Sequence, residues 1–485
     1  MSKSVGETTV PCSASTARES ARPPSLALVI VWSASQPHRV GEIAFFAFGQ
    51  RLYIGRGDVK FDKFAHFLRH RPGEMPAVDL REGFVSGASI SRRQLRLCCV
   101  GDALEMEVVG RLPTLVNGEQ CERATLRPGD TVLLKGELLL LCVERPMELA
   151  SPPSERPLHA YGEADEAGIV GESAVIWELR RDVAAAAEQG EHVLILGESG
   201  AGKELTARAV HRLSNRARGP FVSRNASTFP RELIASELFG NRANYPNPGM
   251  PALKGLFGEA HGGTLFLDEI GDSLRELQPQ LLRVMDEGEY QAVGESTVRR
   301  VDVRVIGATN SDESALREEL FARFLLKVRV PPLRERREDI PLLIRHFLRQ
   351  RAERFPPVGK RFLANGPDGR LHPKISSRFV DHLVRHPLRR NTRELHGILL
   401  RAIAMSRGDV LVLPDEGSKR PPLPPPSPEL ADSSAGMTAP PKEEVLACLN
   451  RERWNVARAA RVLGIGRRSL YRLMELYGIE REPLE

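Results

Sequence analysis

No hydrophobic run in this 485-residue sequence is long enough to cross a membrane. Apolar stretches such as 138–143 (LLLLCV) fall far below the ~20 residues that a spanning helix needs. The opening segment MSKSVGETTVPCSASTARES has no apolar stretch after its lysine, which excludes a secretory signal peptide. We therefore expect residues 1–24 to be a disordered tail and the protein to have no membrane partner.

Cysteine is scarce, and its spacing excludes the usual metal and redox motifs. The six cysteines form no CxxC pair and no metal-ligand spacing, so we expect reduced thiols in a cytoplasmic protein. A net charge of +6 is too small to identify a partner by itself. The composition is that of an ordinary soluble protein, 41% hydrophobic and 27% charged, with length for about three domains.

The pattern of apolar and turn-forming residues changes several times along the chain. An early region has short apolar or alternating runs separated by turn pairs such as Asn117-Gly118, a pattern typical of an all-β sandwich. A later region alternates apolar strands with helical segments, which indicates a parallel α/β sheet. The expected segments are a β-sandwich at 25–147, a polar linker at 148–168, an α/β region at 169–412, a proline-rich linker at 413–440 and a helical unit at 441–485.

A glycine-rich turn between a strand and a helix predicts a phosphate site. The segment 193–196 (VLIL) is a continuous apolar run expected of a strand that is buried on both faces. In the turn that follows, backbone N–H groups and the helix dipole attract phosphates, and Lys203 can reach the β- and γ-phosphates. Glu204 stands where Ser or Thr usually binds magnesium. The residues of this loop predicted to bind a nucleotide are Gly197, Glu198, Ser199, Gly200, Ala201, Gly202, Lys203 and Glu204.

Two further strand ends supply groups for phosphate chemistry. The segment GGTLFLDE ends in Asp268 and Glu269; the first carboxylate can hold magnesium through water, and the second can polarise the attacking water. The segment VDVRVIGATN ends in Asn310, whose amide can orient water or sense the γ-phosphate. Arg317 and Arg323 are candidates for arginines that stabilise the charge of phosphoryl transfer across a subunit boundary. Together with the loop, these residues predict an ATPase.

These motifs resemble the AAA+ module of bacterial enhancer-binding proteins, the sigma-54-dependent transcription activators. The resemblance covers 169–405 and rests on IVGES, GESGAGKE, SELFG, GGTLFLDEIGD, RVIGATN, PPLRERREDIPLL and NTREL. It implies an ATPase core at 169–345, a helical lid at 346–412, and ATP and magnesium as cofactors; Glu at position 204 is normal in that family. For the nucleotide, the resemblance implies that Val170 and Gly171 bind it, that Lys203 binds its phosphates, that Asp268 binds magnesium and that Glu269 activates water. It also implies that Asn225 is a switch partner of Glu269, that Asn310 is a sensor, and that Arg317 and Arg323 are trans-acting fingers in a hexameric ring. Arg393 would be the lid sensor, although its segment (HPLRRNTREL) is longer than the family's W-P-G-N-V-R-E-L.

Arginine is concentrated near the end of the chain. Seven arginines and one acidic residue lie between Arg451 and Arg472 inclusive, and the apolar residues on either side of a Gly-Ile-Gly turn have helical spacing. Two short helices around a glycine turn predict a helix-turn-helix, which resembles the Fis-type unit that closes enhancer-binding proteins and binds duplex DNA as a dimer. The residues predicted at the start of its recognition helix are Arg467, Arg468, Ser469, Tyr471 and Arg472.

The front region carries two arginine-containing motifs, YIGRG and ISRRQLRL. They resemble a forkhead-associated (FHA) domain, a reader of phosphothreonine. The resemblance implies that Arg56 and Ser91 contact the phosphate with Arg92 nearby, and that the partner is a phosphothreonine protein or a kinase. Two positions depart from the family: Gln94 replaces a His, and Leu112 stands near the position of a peptide-binding Asn.

The segment after ELFG differs from the family at the position that defines its output. Sigma-54 activators carry a G-A-F-T-G-A loop there, whose aromatic and threonine side chains touch the sigma factor. Here the loop residues are Tyr245, Pro246, Asn247, Pro248 and Gly249, and the two prolines make it stiffer. Either the loop engages sigma-54 RNA polymerase through Tyr245, or the protein regulates transcription without sigma-54. A third hypothesis, an ATP-dependent protein-remodelling scaffold, has no need of an arginine-rich C-terminal unit.

Overall fold

The computed structural model describes residues 24–57, 64–73, 84–151, 159–228, 230, 233–245, 247–271, 278–310, 318–413 and 441–452, and then 459, 462, 463, 470, 474, 477 and 479. The chain divides into two compact units, Met1–Gly417 and Ser418–Glu485. Among the described helices, none combines the length and the apolar character that a membrane crossing requires. The tail predicted at 1–24 and the proline-rich linker predicted at 413–440 lie outside the described residues, apart from Pro24 and Leu413.

The all-β sandwich predicted for the front region is confirmed. One antiparallel sheet has the strand order β2-β1-β10-β9-β6-β7, and the other has the order β3-β4-β5-β8. Their facing sides enclose an apolar cluster that includes Leu28, Ile54 and Leu104. The strands are β1 (Ser25–Ser33), β2 (Ile43–Phe45), β3 (Arg51–Ile54), β4 (Leu95–Val100), β5 (Ala103–Val108), β6 (Thr114–Val116), β7 (Glu119–Gln120), β8 (Arg123–Leu126), β9 (Thr131–Leu134) and β10 (Leu138–Arg145).

The parallel α/β sheet predicted for the next region is also confirmed. Its order is β12-β13-β16-β11-β17, so the strand that precedes the glycine-rich turn lies next to the strand that ends in Asn310. The strands are β11 (Val193–Leu196), β12 (Phe221–Asn225), β13 (Thr264–Asp268), β16 (Arg304–Thr309) and β17 (Leu326–Arg329), with a hairpin of β14 (Glu289–Gln291) and β15 (Val298–Arg300). The helices of this region are α1 (Ala174–Gln189), α2 (Lys203–Leu213), α3 (Ile234–Phe239), α4 (Gly255–Glu259), α5 (Gln278–Glu287) and α6 (Glu318–Arg323).

A helical region follows the sheet and contains a small hairpin. Its elements are α7 (Ile340–Arg354), α8 (Pro356–Phe362), β18 (Leu363–Asn365), β19 (Leu371–Pro373), α9 (Ser377–Arg385) and α10 (Asn391–Met405). Helix α7 begins after Asp339 and has a proline in its first turn, which is a favourable start for a helix. The core–lid boundary predicted after residue 345 therefore falls inside α7.

The sandwich sheet that contains β10 buries apolar side chains on both of its faces. In β10, Leu138 and Leu140 point into the sandwich core, whereas Leu139 and Leu141 join a second cluster with residues of the lid such as Phe379. Helix α9 packs against β1, β9 and β10. Two hydrogen bonds also join the sandwich to the lid, from Trp32 Nε1 to the Ile375 carbonyl (2.9 Å) and from Thr131 Oγ1 to Asp381 Oδ1 (2.6 Å). The sandwich and the lid therefore share a hydrophobic core.

Residues 159–168 of the linker predicted at 148–168 are not a free tether. The ring of Tyr161 is buried, and its hydroxyl donates to the Gly41 carbonyl of the sandwich. The Glu163 carboxylate pairs with Arg345 and Arg349 of α7, at 3.5 and 2.7 Å. This segment bridges the sandwich and the lid because its polar groups find partners on both.

The closing unit is described only in part. Helix α11 spans Lys442–Arg451, and its Val445 and Leu449 lie in one apolar cluster with Leu470 and Ile479, against which Leu463 and Met474 pack. Leu463, Leu470 and Met474 are residues that helical spacing places on the inner faces of the predicted helix-turn-helix.

Candidate nucleotide site

The glycine-rich loop joins β11 to α2 in the geometry that phosphate binding requires. Lys203 is the first residue of α2 and is 6% exposed, and its ammonium donates to the Gly197 carbonyl and to Asn310 Oδ1, both at 2.8 Å. Burial lowers the pKa of Lys203, an effect that the nearby carboxylates of Asp268 and Glu269 oppose. The structure thus brings together the four residues that the sequence places at three separate strand ends.

The acidic pair lies at the end of β13, beside the loop. Glu269 has a φ of +57°, a left-handed backbone that costs a non-glycine residue energy and that often marks functional sites. Its backbone N–H donates to Asp268 Oδ1 at 3.0 Å. Burial raises the pKa of Asp268, while the ammonium of Lys203 acts against that rise. Both carboxylates therefore lie close enough to Lys203 for their charges to act on its ammonium.

The lid contacts the phosphate loop directly. The carbonyl of Arg390 approaches Gly200 so closely that a Cβ at that position would lie 2.5 Å from it, and the Gly200 φ of +74° also favours glycine. Thr392 Oγ1 donates to the Gly200 carbonyl at 2.7 Å. Arg393, the predicted lid sensor, donates from Nη1 to Ser199 Oγ at 3.2 Å. Glu198 of the loop pairs with Arg334 at 2.6 Å. The start of α10 thus rests on the loop.

A cavity of about 300 Å³ opens beside the loop. Its walls combine apolar side chains with a few polar ones, as pockets for the flat ring of a nucleotide do. Val170, one of the predicted nucleotide residues, lines it, and Gly171 is the next residue in the chain. The lining residues are Gly168, Ile169, Val170, Leu179, Ala201, Gly202, Leu205, Thr206, Val330, Arg336, Leu343, His346, Gln350, Thr392 and His396.

Of the remaining predicted residues of the site, one lies beside Asp268, two are exposed, and one lies outside the described residues. Asn225 lies beside Asp268 in the parallel register of β12 and β13, and its Oδ1 accepts hydrogen bonds from Ser227. Glu204 is exposed and pairs with Arg208 at 2.8 Å along α2. Arg323 is 55% exposed and pairs with Asp286 at 3.0 Å. Arg317 lies outside the described residues.

Comparisons with known proteins decide the family. The Sigma-54 interaction domain matches residues 169–332, the AAA+ ATPase lid domain matches 334–416, and the Fis family of bacterial regulatory proteins matches 442–477. The chain is 35% identical to the regulatory protein AtoC of Escherichia coli (strain K12) over 366 residues, which are 70% of this chain and 75% of AtoC. The chain belongs to the sigma-54 enhancer-binding family of transcription regulators.

This enhancer-binding regulator is also 41% identical to the DNA-binding transcriptional regulator NtrC of Azospirillum brasilense over 283 residues, 57% of this chain and 56% of NtrC. It spans 53% and 52% of the NtrC proteins of Bradyrhizobium sp. (strain RP501 Parasponia) and Rhizobium meliloti (strain 1021), so it covers little more than half the length of these relatives. Among solved structures, NtrX from Brucella abortus in complex with ATP is 33% identical, over 66% of this chain and 70% of that chain, with a TM-score of 0.44. A phosphothreonine-dependent FHA domain is 19% identical, over 25% of this chain and 99% of that chain, with a TM-score of 0.18.

The loop that distinguishes this enhancer-binding regulator is held in a closed turn. Asn244 donates from its backbone to the Met250 carbonyl at 2.8 Å, and its side chain accepts from the Gly249 N–H at 2.9 Å. Asn241 is fully buried and donates to the Tyr245 carbonyl at 3.2 Å. The ring of Tyr245 packs over Gly294, where a Cβ would lie 2.5 Å from it. Pro246 lies outside the described residues, and Asn247 and Pro248 are exposed.

The structure also brings the three front-domain candidates together. The backbone of Gly55 lies against those of Ser91 and Arg92, and the Arg56 N–H donates to the Ser91 carbonyl at 3.2 Å. The side chains of Arg56 and Arg92 are exposed. Gln94 is fully buried, and its amide donates to the Leu112 carbonyl at 2.9 Å, so the residue that replaces the family's His has a structural hydrogen bond.

The predicted DNA contacts have no structural description. Arg467, Arg468, Ser469, Tyr471 and Arg472 all lie outside the described residues. Their part of the chain falls within the match to the Fis family at 442–477. Their roles stay predictions from the sequence.

Sequence reasoning missed the residues that connect the nucleotide site to the sandwich. Arg71 and Arg145 of the sandwich, Glu172, and Asp339 ahead of α7 are all buried. A signal was present in β10, whose uninterrupted apolar run is unusual for an antiparallel strand that has water on one face. Such a run indicates a second buried face, and therefore a neighbour that has to be packed against the sandwich.

Proposed function

We propose that this regulator is an ATPase that couples ATP hydrolysis in a ring to the control of promoters. The observation that carries the proposal is the convergence of Lys203, Asp268, Glu269 and Asn310 beside a cavity of nucleotide size. An ammonium and backbone N–H groups would bind the triphosphate, and a carboxylate beside them would orient the attacking water. In this arrangement Lys203 exchanges its bonds to Gly197 and Asn310 for bonds to phosphate oxygens.

Asp268 is the residue that would hold magnesium. Its carboxylate lies at a strand end next to the phosphate loop, and burial raises its pKa while Lys203 opposes the rise, so a cation would further favour the charged form. Magnesium is commonly held by one or two carboxylates together with phosphate oxygens and waters, which fits this donor set. When bound, it would neutralise charge on the phosphates.

The active form would be a homo-oligomeric ring, with a hexamer as the expected state. Arg317 and Arg323 would act on the nucleotide of a neighbouring subunit. Arg323 is half exposed and pairs with a partly exposed carboxylate, Asp286. Surface pairs of this kind contribute little free energy, so the arginine can leave its partner on assembly.

Duplex DNA and sigma-54 RNA polymerase would be the macromolecular partners. Support comes from the order of the matches along the chain, with a Sigma-54 interaction domain, a lid and a Fis-type unit in succession. The front sandwich would read a phosphothreonine protein through Arg56, Ser91 and Arg92, because two exposed arginines beside a hydroxyl suit a phosphate. The cell compartment that fits these partners is the cytoplasm.

Substitution of Lys203 tests the ATPase proposal. Lys203→Ala removes the ammonium that the phosphate loop supplies to the triphosphate, so both nucleotide binding and hydrolysis should be lost. Lys360→Ala, which changes an exposed lysine on α8, is the matched control and should behave like wild type. The measurements are phosphate release and titration with a fluorescent ATP analogue. Hydrolysis by Lys203→Ala at the wild-type rate contradicts the proposal.

Mixed rings test the trans-acting arginines. Glu269→Gln should bind ATP but turn over on the order of 10²-fold more slowly, as expected for loss of a general base. Arg323→Ala should also bind ATP and turn over slowly. Mixing these two variants should restore part of the activity, because some interfaces then contain an intact carboxylate and an intact arginine. No recovery at any mixing ratio contradicts action across subunits.

A second candidate function, regulation without sigma-54, is favoured by the loop. Tyr245 packs on Gly294 of its own subunit rather than standing free at the tip. A pull-down with purified sigma-54, ATP and a transition-state mimic separates the two functions. Retention that Tyr245→Ala abolishes supports sigma-54 contact. Absence of retention, with salt-sensitive binding of the full chain to duplex DNA intact, supports the second candidate.

A further inference from the structure

The sandwich, the lid and the nucleotide site meet at one buried residue, Glu172. Its Oε1 accepts from Arg71 Nη2 (3.0 Å) and from the Gly162 N–H (2.7 Å), and its backbone carbonyl accepts from Arg145. Its backbone N–H donates to Asp339 Oδ1 at 2.7 Å. Burial alone would raise the pKa of Glu172, but His159 and the charge of Arg71 hold it below its usual value. The carboxylate is therefore charged, and the junction depends on its partners.

The two arginines at this junction belong to the sandwich. Arg145 is the last residue of β10 and is 2% exposed; its Nη1 also pairs with Glu338 Oε1 at 3.0 Å, just ahead of α7. Arg71 is 8% exposed. Because a single guanidinium contacts both Glu172 and Glu338, it fixes the distance between the segment that precedes α1 and the segment that precedes α7. Arg123 of the same sandwich is instead exposed and pairs with Glu107 of β5 at 2.9 Å.

The other side of the junction is the wall of the nucleotide cavity. Gly171 precedes Glu172, and a Cβ on it would lie 2.6 Å from Asp339 Oδ2, so the carboxylate that receives the Glu172 N–H also touches this glycine. Arg180 of α1 donates to the carbonyls of Gly171 and Ile169, both at 2.9 Å. Residues 168–170 line the cavity directly. A shift of Glu172 is therefore transmitted over one or two peptide units to the cavity wall.

The same junction reaches the phosphate loop by a second route. Arg336, which is buried and lies three residues before Asp339, donates from Nη2 to the Ala201 carbonyl at 3.0 Å. Buried charges of this kind have few alternative positions, because each loses much free energy if its partner moves away. The cavity wall and the loop are thus held in register by charged groups, and two of those groups come from outside the ATPase region.

We propose that Arg145 and Arg71 of the sandwich are positioning residues for the nucleotide pocket, so that the sandwich sets nucleotide affinity. This rests on the proposed ATPase function. Neither arginine lines the cavity; each acts through Glu172, and residues 168–170, just before it in the chain, form part of the cavity wall. The sandwich then has a role in the ATPase cycle that does not depend on whether its own exposed arginines bind phosphate.

The test uses full-length variants that separate two effects of Arg145: its contribution to the stability of the fold and its contact with the Glu172 carbonyl. Arg145→Met alone leaves Glu338 buried without a partner, which is strongly destabilising. The double variant Arg145→Met/Glu338→Met removes both charges and keeps the volume, so the fold is retained, but the contact with the Glu172 carbonyl is lost. Arg145→Lys keeps the charge, yet a compact ammonium cannot reproduce the two-sided contact of the guanidinium. Arg123→Ala is the control on the same sandwich.

We expect the double variant to unfold near the wild-type temperature and to bind a fluorescent ADP analogue on the order of tenfold more weakly. KM for ATP should rise by a similar factor, with kcat much less changed. Arg145→Lys and Arg71→Gln should each weaken binding by a smaller factor, and Arg123→Ala should not change it. Affinity within about twofold of wild type in Arg145→Lys and in the folded double variant overturns the inference.

The outcome is distinguishable from failure of the ATPase proposal. If Lys203→Ala binds the analogue as wild type does, the site does not hold nucleotide and the proposed function fails. If Lys203→Ala loses binding while the arginine variants keep it, only the positioning role is wrong. A uniform loss of thermal stability in the arginine variants, with unchanged affinity in the fraction that is folded, also counts against positioning.

Discussion

Because the sandwich and the lid share a hydrophobic core, a cavity in that core should make the lid separate from the sandwich more often. Leu139 of β10 is fully buried on the lid side of the sheet, in the same cluster as Phe379 and Leu383 of α9. Leu139→Ala leaves a cavity there, and the cost of such a change at a buried site is about 2–5 kcal/mol. With about 3 kcal/mol lost from the docked state and about 1.4 kcal/mol for each factor of ten, undocking becomes on the order of 100-fold more frequent.

Amide hydrogen exchange followed by mass spectrometry measures this directly, because exchange of α9 reports openings that expose it. Leu139→Ala should speed exchange in α9 by up to about two orders of magnitude. The matched control is Leu104→Ala, which changes an equally buried leucine in β5 that belongs to the inner sandwich cluster and not to the lid cluster. It should speed exchange in the sandwich and leave α9 close to wild type. Wild-type exchange of α9 in Leu139→Ala, alongside faster exchange in β10, would refute the shared core.

Two further predictions concern Gly171, which precedes Glu172, and His70, which lies near the charge of Arg145. Gly171→Ala places a methyl group 2.6 Å from Asp339 Oδ2 at a residue whose φ is +140°. It should therefore lower the free energy of unfolding, measured with urea, by about 2 kcal/mol and weaken nucleotide binding. An unchanged urea midpoint would contradict the close approach. Burial, aided by the charge of Arg145, lowers the pKa of His70 from 6.5 to about 4, so native His70 stays neutral while the unfolded chain takes up a proton as the pH falls from 6.5. Wild type should therefore lose about 1.4 kcal/mol more than His70→Gln between pH 7.5 and 5.5, and equal losses in the two proteins would contradict that burial.

Sequence alone predicted the elements whose signal is local. The apolar run at 193–196 followed by glycines specifies a buried strand and a phosphate loop, and Asp268 and Glu269 close a strand of the same sheet. Parallel strands bring their carboxyl ends to one edge, which is why Lys203 and Asn310 meet although they are far apart in the chain. At the start of α7 the sequence carries Asp339, a residue type common at the N-cap, and Pro341, a favourable first-turn residue.

The junction between domains could not be predicted in the same way. A buried arginine such as Arg145 has no sequence signature, because arginine is usually solvated and nothing near it in the chain indicates its partner at Glu338. Residues 159–168 belong to the segment predicted as a polar linker at 148–168, whereas polar groups of Tyr161 and Glu163 are bound by the sandwich and by α7. Polarity indicates solvent only when no partner is available, and partners at long sequence separation are not visible in one sequence.

The closed turn between Asn241 and Pro251 has a consequence for recognition. A flexible loop loses conformational entropy when a partner immobilises it, at a cost of about 0.5–1.5 kcal/mol for each ordered side chain. Here the Asn244 and Asn241 side chains have already fixed the backbone, so that loss occurs on folding rather than on contact. Whatever protein surface meets Asn247, Pro248 and Gly249 therefore encounters a rigid shape and is selected by its fit to that shape.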